Sequence, residues 1–442
     1  MQQYEKTPVC RIADADANGA FASGLEYNPP VRGMWNIVHM GMLVPEAHQV
    51  YACAQGCLRG VILTAAEMNL LDRLSWISLT EEDMFNGTLE SSLVEGVSEI
   101  IEKLGTHPPM IPLFLSCMHL FAGCDFDSVL ADLSQRYPDI TFVDCYMTPT
   151  MRLTISPVAQ TCRQLYMGLK PLPQNPRAVN LIGCDRPTDE QSELVRIIRG
   201  AGMTLHDLPL CKTYDEYLQM AESRLNIAYL PTAHAALDAL EEKLGIPQRY
   251  LPARFDFAGL RENYRLLCDT LGIDCPDFSA EIAAAEASLR AAQKEIGDTA
   301  VAIDYTAVSK PFELAKLLCE YGFNVQYIVA DAAGEDADAF QWLRENRPEL
   351  LLYSPTNVNM LHQHEHAPAQ VLAVGQKAAY YFATDRFVNF VVNGGYYGFA
   401  GIKAIAELML DAYRNPKDRK PLLRHKGYGC DSCLLSLCGD RL

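Results

Sequence analysis

The side chains best able to do chemistry in this sequence are thiols. The chain has 442 residues and 15 cysteines, an odd number at irregular spacing. A disulfide framework is not expected from that pattern. In a reducing compartment cysteines are packed as small hydrophobes, act in catalysis, or bind metal. This many points towards metal or iron–sulfur chemistry. Three N-terminal segments belong together. The first holds Cys10, followed by Asn18-Gly19-Ala20 and Gly24. The second, NIVHMGMLVPEAHQVYACAQGC, holds His39, His48, Cys53 and Cys57. The third, PLFLSCMHLFAGCDFDSVL, holds Cys117, Cys124 and Asp125. A cubane cluster takes up to four thiolates, and loops distant in sequence can supply them if they reach one point. Asp125 is a candidate oxygen ligand or proton donor beside Cys117.

Two smaller groups have metal-ligand spacing. The tail carries His425, Cys430, Cys433 and Cys438 in a C-x2-C-x4-C run, a candidate zinc or iron–sulfur site. The triplet His362-Gln363-His364-Glu365-His366 would present imidazoles on one face if it were a strand. Pro368 bounds it, which favours a solvated loop. His119 and His234 read as hydrogen-bonded structure. Tyr396 and Tyr397 read as cavity lining or core.

These residues need a frame, and short apolar runs alternating with amphipathic stretches provide one. Strands are predicted over 110–117, 140–147, 178–184, 225–230, 300–305, 324–330 and 350–354. Helices are predicted over 89–104, 127–135, 190–201, 233–244, 312–321 and 399–413. Continuous apolar strands separated by helices make parallel α/β units. The proline-rich stretch 170–177 reads as a linker, and a second boundary falls near 296–299. The expectation is three doubly wound, Rossmann-like parallel-sheet modules around a central cleft: 1–170 with the cluster cysteines, 171–297, and 298–442 with the Cys-rich tail. Ligands in such sheets sit at the carboxyl ends of strands. Cys117, Cys145 and Cys184 each end an apolar run there.

The sequence resembles the nitrogenase component 1 superfamily, which includes the molybdenum-iron protein subunits, cofactor-assembly scaffolds and light-independent protochlorophyllide reductases. That family has an early Cys, then an Ile-x-His-Gly-x-x-Gly-Cys loop and an acidic and Gly segment opening a long helix. A strand ending Ser/Thr-Cys-x-x-x-Leu-x-Gly-Asp-Asp follows. This chain offers Cys10, His48 to Cys53, Glu82-Asp83 to Gly87 and Glu90, and Ser116-Cys117 to Gly123-Cys124-Asp125. The segment 225–247 and the loop Gly394-Gly395-Tyr396-Tyr397-Gly398-Phe399-Ala400-Gly401 also match. The resemblance implies that Cys10, Cys53 and Cys117 hold a cluster of 4Fe-4S or 8Fe-7S type at a subunit interface. Ala52 and Gln49 stand where the family has glycines that permit positive φ. Cys57 follows Gly56, so it competes with Cys53 as ligand. Tyr229 and Val388 stand where nitrogenase has the Cys and His ligands of its iron–molybdenum cofactor, so that cofactor is not expected.

The implied activity is that of an oxidoreductase subunit, anaerobic in habit. It would take electrons from a separate ATP-dependent iron protein and reduce a small or tetrapyrrole-like substrate. The alternative is a scaffold that assembles a metal cluster without turnover. A homodimer or a hetero-oligomer with a paralogous subunit is implied. No G-x4-G-K-[ST] motif occurs, so no nucleotide site is expected on this chain. The net charge of −18 repels phosphate backbones and anionic lipid. No apolar run is long enough to span a membrane, and no signal peptide is visible. A cytoplasmic location is expected.

Overall fold

The computed structural model describes residues 8–21, 26–29, 31, 37–148, 155–366, 368 and 370–420. The tail cysteines Cys430, Cys433 and Cys438 lie outside these residues. In chain order the strands are β1 (Val9–Arg11), β2 (Gln49–Cys53), β3 (Leu74–Ser78), β4 (Met110–Ser116), β5 (Thr141–Met147), β6 (Asn175–Leu181), β7 (Thr204–Asp207), β8 (Ser223–Ala228), β9 (Gln248–Tyr250), β10 (Ala300–Asp304), β11 (Val325–Val329), β12 (Leu351–Tyr353), β13 (Val371–Val374) and β14 (Phe387–Val388). They form three sheets, β3-β2-β4-β5, β7-β6-β8-β9 and β1-β12-β11-β10-β13-β14. Every pairing is parallel except β1 with β12. The α/β class with three parallel sheets is the architecture expected from the alternating pattern.

The chain divides into two compact units. One contains 35–187 and 202–251 and holds the first two sheets. Its central strands β2 and β4 are buried on both faces, as parallel strands covered by helices must be. On one face Tyr51, Cys53, Phe114 and Cys145 join a core with Cys162, Tyr166, Ile182 and Tyr217. On the other Val50, Ala52, Leu113 and Leu115 pack under the helices Leu89–Leu104 and Phe126–Arg136.

The second unit contains 188–201 and the described residues of 252–420, joined by the described residues before 35. The helix Ser279–Ile296 belongs here. It buries Ala285, Leu289, Ala292 and Ile296, and Glu295 pairs with Arg414 of the helix Gly398–Arg414. The compact units therefore do not break at 170 and 297, because tertiary packing groups segments that composition separates. Strand β1 also lies in this unit. Cys10 is set against Leu352 of β12, so the strand that carries it pairs in the C-terminal sheet rather than in the sheet of Cys53.

Burial of charge in this unit has a pH consequence. Asp336, 3% exposed, accepts the amides of Phe312 at 2.8 Å and Glu313 at 3.3 Å, capping the helix Pro311–Glu320 from the loop after β11. Burial, then the nearby Glu313, push its carboxyl up to about 7. An acid whose pKa is raised by folding binds more protons folded than unfolded between its two pKa values. Its contribution to stability therefore falls as pH rises from about 4 to about 7. Asp336→Asn keeps an oxygen acceptor and removes the titration. Urea unfolding should show the variant gaining on wild type across that window, by at most about 4 kcal/mol. A constant difference over the window would refute the assignment.

Candidate functional site

The site is built at the carboxyl ends of β2, β3 and β4. The pairing of β2 with β4 runs Val50 to Leu113, Tyr51 to Phe114 and Ala52 to Leu115. The next step sets Cys53 beside Ser116, and Cys117 is the first residue of the helix Cys117–Ala122. Adjacent strands lie about 4.8 Å apart, so these two cysteine backbones are close neighbours although 64 residues separate them in the numbering. Cys53 is buried, Cys117 half-buried and Cys57 exposed. Cys57 lies in the first turn of the helix Gln55–Glu67. Burial, then the neighbouring Cys57, push the Cys53 thiol up to about 12. Without metal it is a neutral packed thiol.

The loop after β4 is held by a polar framework. The Ser116 amide donates to His119 Nδ1 at 3.2 Å, so the His119 proton resides on Nε2. That nitrogen is buried and has no hydrogen-bond partner among the described residues, and burial pulls the imidazole below its ordinary value. Glu90, in the first turn of Leu89–Leu104, accepts the Asp125 amide at 2.9 Å and lies close to the Cys124 thiol. Burial and Glu90 push Cys124 up to about 12. The Asp125 carboxylate accepts the Ser128 amide at 3.1 Å as the cap of Phe126–Arg136, so one of its oxygens is already engaged. Asp83 accepts Thr80 N, Thr80 Oγ1 and Ser92 Oγ. The acidic motif is thus a set of helix caps.

Ala52 lies in regular strand without positive φ, so alanine is unstrained at the family's glycine position. Gln49 bridges instead. It accepts from Tyr51 Oη at 2.7 Å and donates to the Val38 carbonyl at 3.2 Å. A Cβ on Gly41 would lie 2.6 Å from the Gln49 side chain; the glycine this contact needs sits on the facing helix. His48 precedes β2, at the opposite end from Cys53. Its Nε2 meets Ser75 Oγ at 2.8 Å, and burial with the Arg73 charge pulls it down to about 4. Arg73 donates to the carbonyls of Met42, Val44 and Ala47. A cavity of about 720 Å³ opens at these amino ends, lined by Glu46, His48, Asp72, Arg73, His107 and Lys212 among others.

Among the described residues no three His, Cys, Asp or Glu side chains converge to hold a metal ion. Cys10 is half-buried on β1, its thiol raised by burial and Asp14. The segment of His362 and His364 is a 3-10 helix, Val358–His366, not a strand, so alternate residues do not share one face. His362 Nδ1 meets Glu365 at 2.9 Å, and His364 packs on the Tyr380 ring. Tyr229 and Val388 are buried, and neither side chain is an imidazole or a thiol.

The glycine-rich loop lies in the other unit, over the turn after β10. Val392 N donates to Thr306 O and Asn393 N to Ala307 O, both at 2.7 Å. Val392, Asn393, Gly394 and Gly395 all have positive φ. Tyr397 is buried and its hydroxyl accepts from Asn263 at 3.0 Å. Glu193, 1% exposed, accepts Tyr264 Oη and the amides of Phe399 and Ala400. This buried carboxylate caps the helix Gly398–Arg414 from another helix. Its role was not legible, because Glu193 sits among ordinary surface-type acids in sequence.

The arrangement defines a class: an α/β protein of several parallel sheets with cysteines at the carboxyl ends of neighbouring strands. A family model for nitrogenase component 1 type oxidoreductases matches residues 38–414, and the chain belongs to that family. It is similar to a solved structure of nitrogenase Cp1 at pH 6.5, with a TM-score of 0.68, 15% identity, and 91% of this chain and 98% of that one covered. A second structure of nitrogenase Cp1, at pH 5, has a TM-score of 0.57 at 14% identity over 92% of this chain and 94% of that one. These likenesses are of fold. No curated protein matches the chain.

Gly398 tests the loop. Its φ is +87°, and a Cβ would fall 2.0 Å from Tyr264 Oη and 2.3 Å from Glu193 Oε2. Gly398→Ala should cost roughly 2–4 kcal/mol of unfolding free energy, from left-handed strain plus a broken Glu193 cap. A loss under about 0.5 kcal/mol, the range of unremarkable surface changes, would show that the loop is not held as described.

Proposed function

We propose that this chain is a nitrogenase-like reductase subunit that receives electrons at an iron–sulfur cluster on the carboxyl edge of the β2–β4 pair. The observation that supports it most directly is the juxtaposition of Cys53 and Cys117 by strand register. Two cysteines on neighbouring strand ends, one buried and one half-buried, would supply part of a cluster's ligand set. Cys53 and Cys117 would hold it from this unit, with Cys57 competing for the place of Cys53. Cys10 enters from the family pattern alone. Asp125 is the weaker oxygen candidate because its carboxylate caps a helix. The cluster, when bound, would supply one-electron transfer. The chain's own residues would keep water away with the apolar wall of Tyr51 and Phe114, and hold the loop with Glu90, Ser116 and Asp125.

Fewer than three ligands on this edge favour completion by a second protomer. The same edge carries exposed apolar side chains: Met84 and Phe85 on the helix after β3, Leu120 and Phe121 on the helix after β4. Phe85 is 94% and Phe121 75% exposed. Exposed large apolar groups clustered at a strand edge mark association surfaces. A separate ATP-hydrolysing iron protein would be the electron donor, since this chain has no phosphate-binding motif. The substrate would be a small or tetrapyrrole-like molecule, and Tyr229 and Val388 speak against an iron–molybdenum cofactor. No described helix is long and apolar enough to cross a membrane.

Anaerobic iron and sulfide analysis with electron paramagnetic resonance tests the cluster. Cys117→Ala should remove most iron or change its signal while secondary structure, read by circular dichroism, stays intact. The parallel Cys53→Ala and Cys57→Ala variants identify which thiol of that pair ligates. Full iron and an unchanged signal in both Cys53→Ala and Cys117→Ala would refute the reading. Cluster transfer to an apo-protein, with no reoxidation on any substrate, would instead favour a scaffold. A second test concerns association. Phe85→Asp with Phe121→Asp should shift the sedimentation coefficient of the assembled protein to that of a single chain; an unchanged coefficient would remove this edge as the interface.

A further inference from the structure

Two thiols outside the cluster edge are arranged for chemistry with each other. The helix Phe257–Leu271 ends at Gly272, which is left-handed at φ 72° and ψ 37°. The Ile273 amide returns to the carbonyl of Cys268 at 3.0 Å. The chain therefore folds back over Cys268, and Cys275 follows two residues later. Cys268 is fully buried and Cys275 exposed. The Cys275 side chain is a near neighbour of the Cys268 thiol. Three residues beyond Cys275, Phe278 packs on the rings of Tyr264 and Phe399.

We infer that Cys268 and Cys275 form a reversible dithiol–disulfide pair, with the exposed Cys275 as the attacking thiol and the buried Cys268 as the resolving one. The oxidant class is a low-molecular-weight disulfide such as glutathione disulfide. The Cys275 thiol loses its proton to solvent, and its sulfur attacks one sulfur of the oxidant. That S–S bond breaks and one thiolate leaves. The Cys268 thiol then loses its proton, and its sulfur attacks Cys275 Sγ and expels the second thiolate. Both leaving thiolates take up the protons released. Two protein thiols are oxidised to one disulfide, and the small disulfide is reduced to two thiols.

The order of attack follows from exposure, because only Cys275 can meet a solute. The second step should be the slower one. Burial, then Cys275, push the Cys268 thiol up to about 12, so its thiolate is scarce near neutrality and increases about tenfold per pH unit. A mixed disulfide on Cys275 should accumulate first and close faster as pH rises. The closed bond would tie the end of the helix to the turn that delivers Phe278 to its aromatic partners.

The test uses the full chain, purified anaerobically, then exposed to glutathione disulfide and quenched by acid and alkylation. Trypsin releases residues 266–290 as one peptide holding both cysteines. Mass spectrometry should find it first as a glutathione adduct, then lighter than the reduced peptide by two hydrogens and resistant to alkylation. Closure should speed up about tenfold from pH 7 to pH 8. Dithiothreitol should restore both alkylation sites. In Cys268→Ala the glutathione adduct should persist, and in Cys275→Ser the peptide should stay reduced. A wild-type adduct that never closes would overturn the inference. So would closure in which glutathione appears first on Cys268.

Discussion

The register of β2 against β4 is the constraint on which the candidate site depends. It is held by Tyr51 stacked on Phe114, centroids 4.3 Å apart and planes within 7°, in a core closed on both faces. A one-residue slip would turn Tyr51 and Cys53 to the opposite face of the sheet and move Val50 and Ala52 into their place. Burial of both faces makes that slip costly. The neighbourhood of Cys53 and Cys117 is therefore a property of the apolar pattern of two strands, not of the loops that display the cysteines.

The loops are held by a second kind of interaction, capping by polar groups from elsewhere in the chain. Glu90 holds Asp125, Asp83 holds Thr80 and Ser92, and Ser116 and His119 hold each other. Each satisfies a backbone or side-chain group that would otherwise be left without a partner at a strand-to-helix turn. In the other unit Glu193 and Asp336 do the same for helices that begin far away in sequence. Residues that look like catalytic acids thus act largely as caps. The departure at Gln49 has the same logic. A side chain that bridges a helix and a strand requires its glycine on the facing helix, at Gly41.

The thiols divide by environment. Cys53, Cys145, Cys162, Cys184 and Cys268 are buried, while Cys57 and Cys275 are exposed. A buried thiol in an apolar setting resists ionisation, so it waits for a metal or for a neighbouring sulfur. An exposed thiol meets solutes. This contrast, between neighbours brought together at the start of a helix or by a helix-ending turn, gives the Cys53–Cys57 and Cys268–Cys275 pairs their chemical interest.

Sequence alone determined the α/β class, most of the central strands and the helix at 89–104, because alternating apolar runs and amphipathic periodicity are local signals. It also carried the family resemblance, through Ser116-Cys117 and the Gly394 loop. It missed β2, whose five residues are buried on both faces and follow a mixed His/Met segment with no strand period. It favoured a solvated loop for His362 and His364, where the chain winds as a 3-10 helix. Only tertiary structure decided that β1 pairs with β12, that Ser279–Ile296 packs with the C-terminal helix, and that Glu193 and Asp336 are buried caps. The reason is that pairing, packing and capping join residues far apart along the chain, and no window of sequence contains both partners.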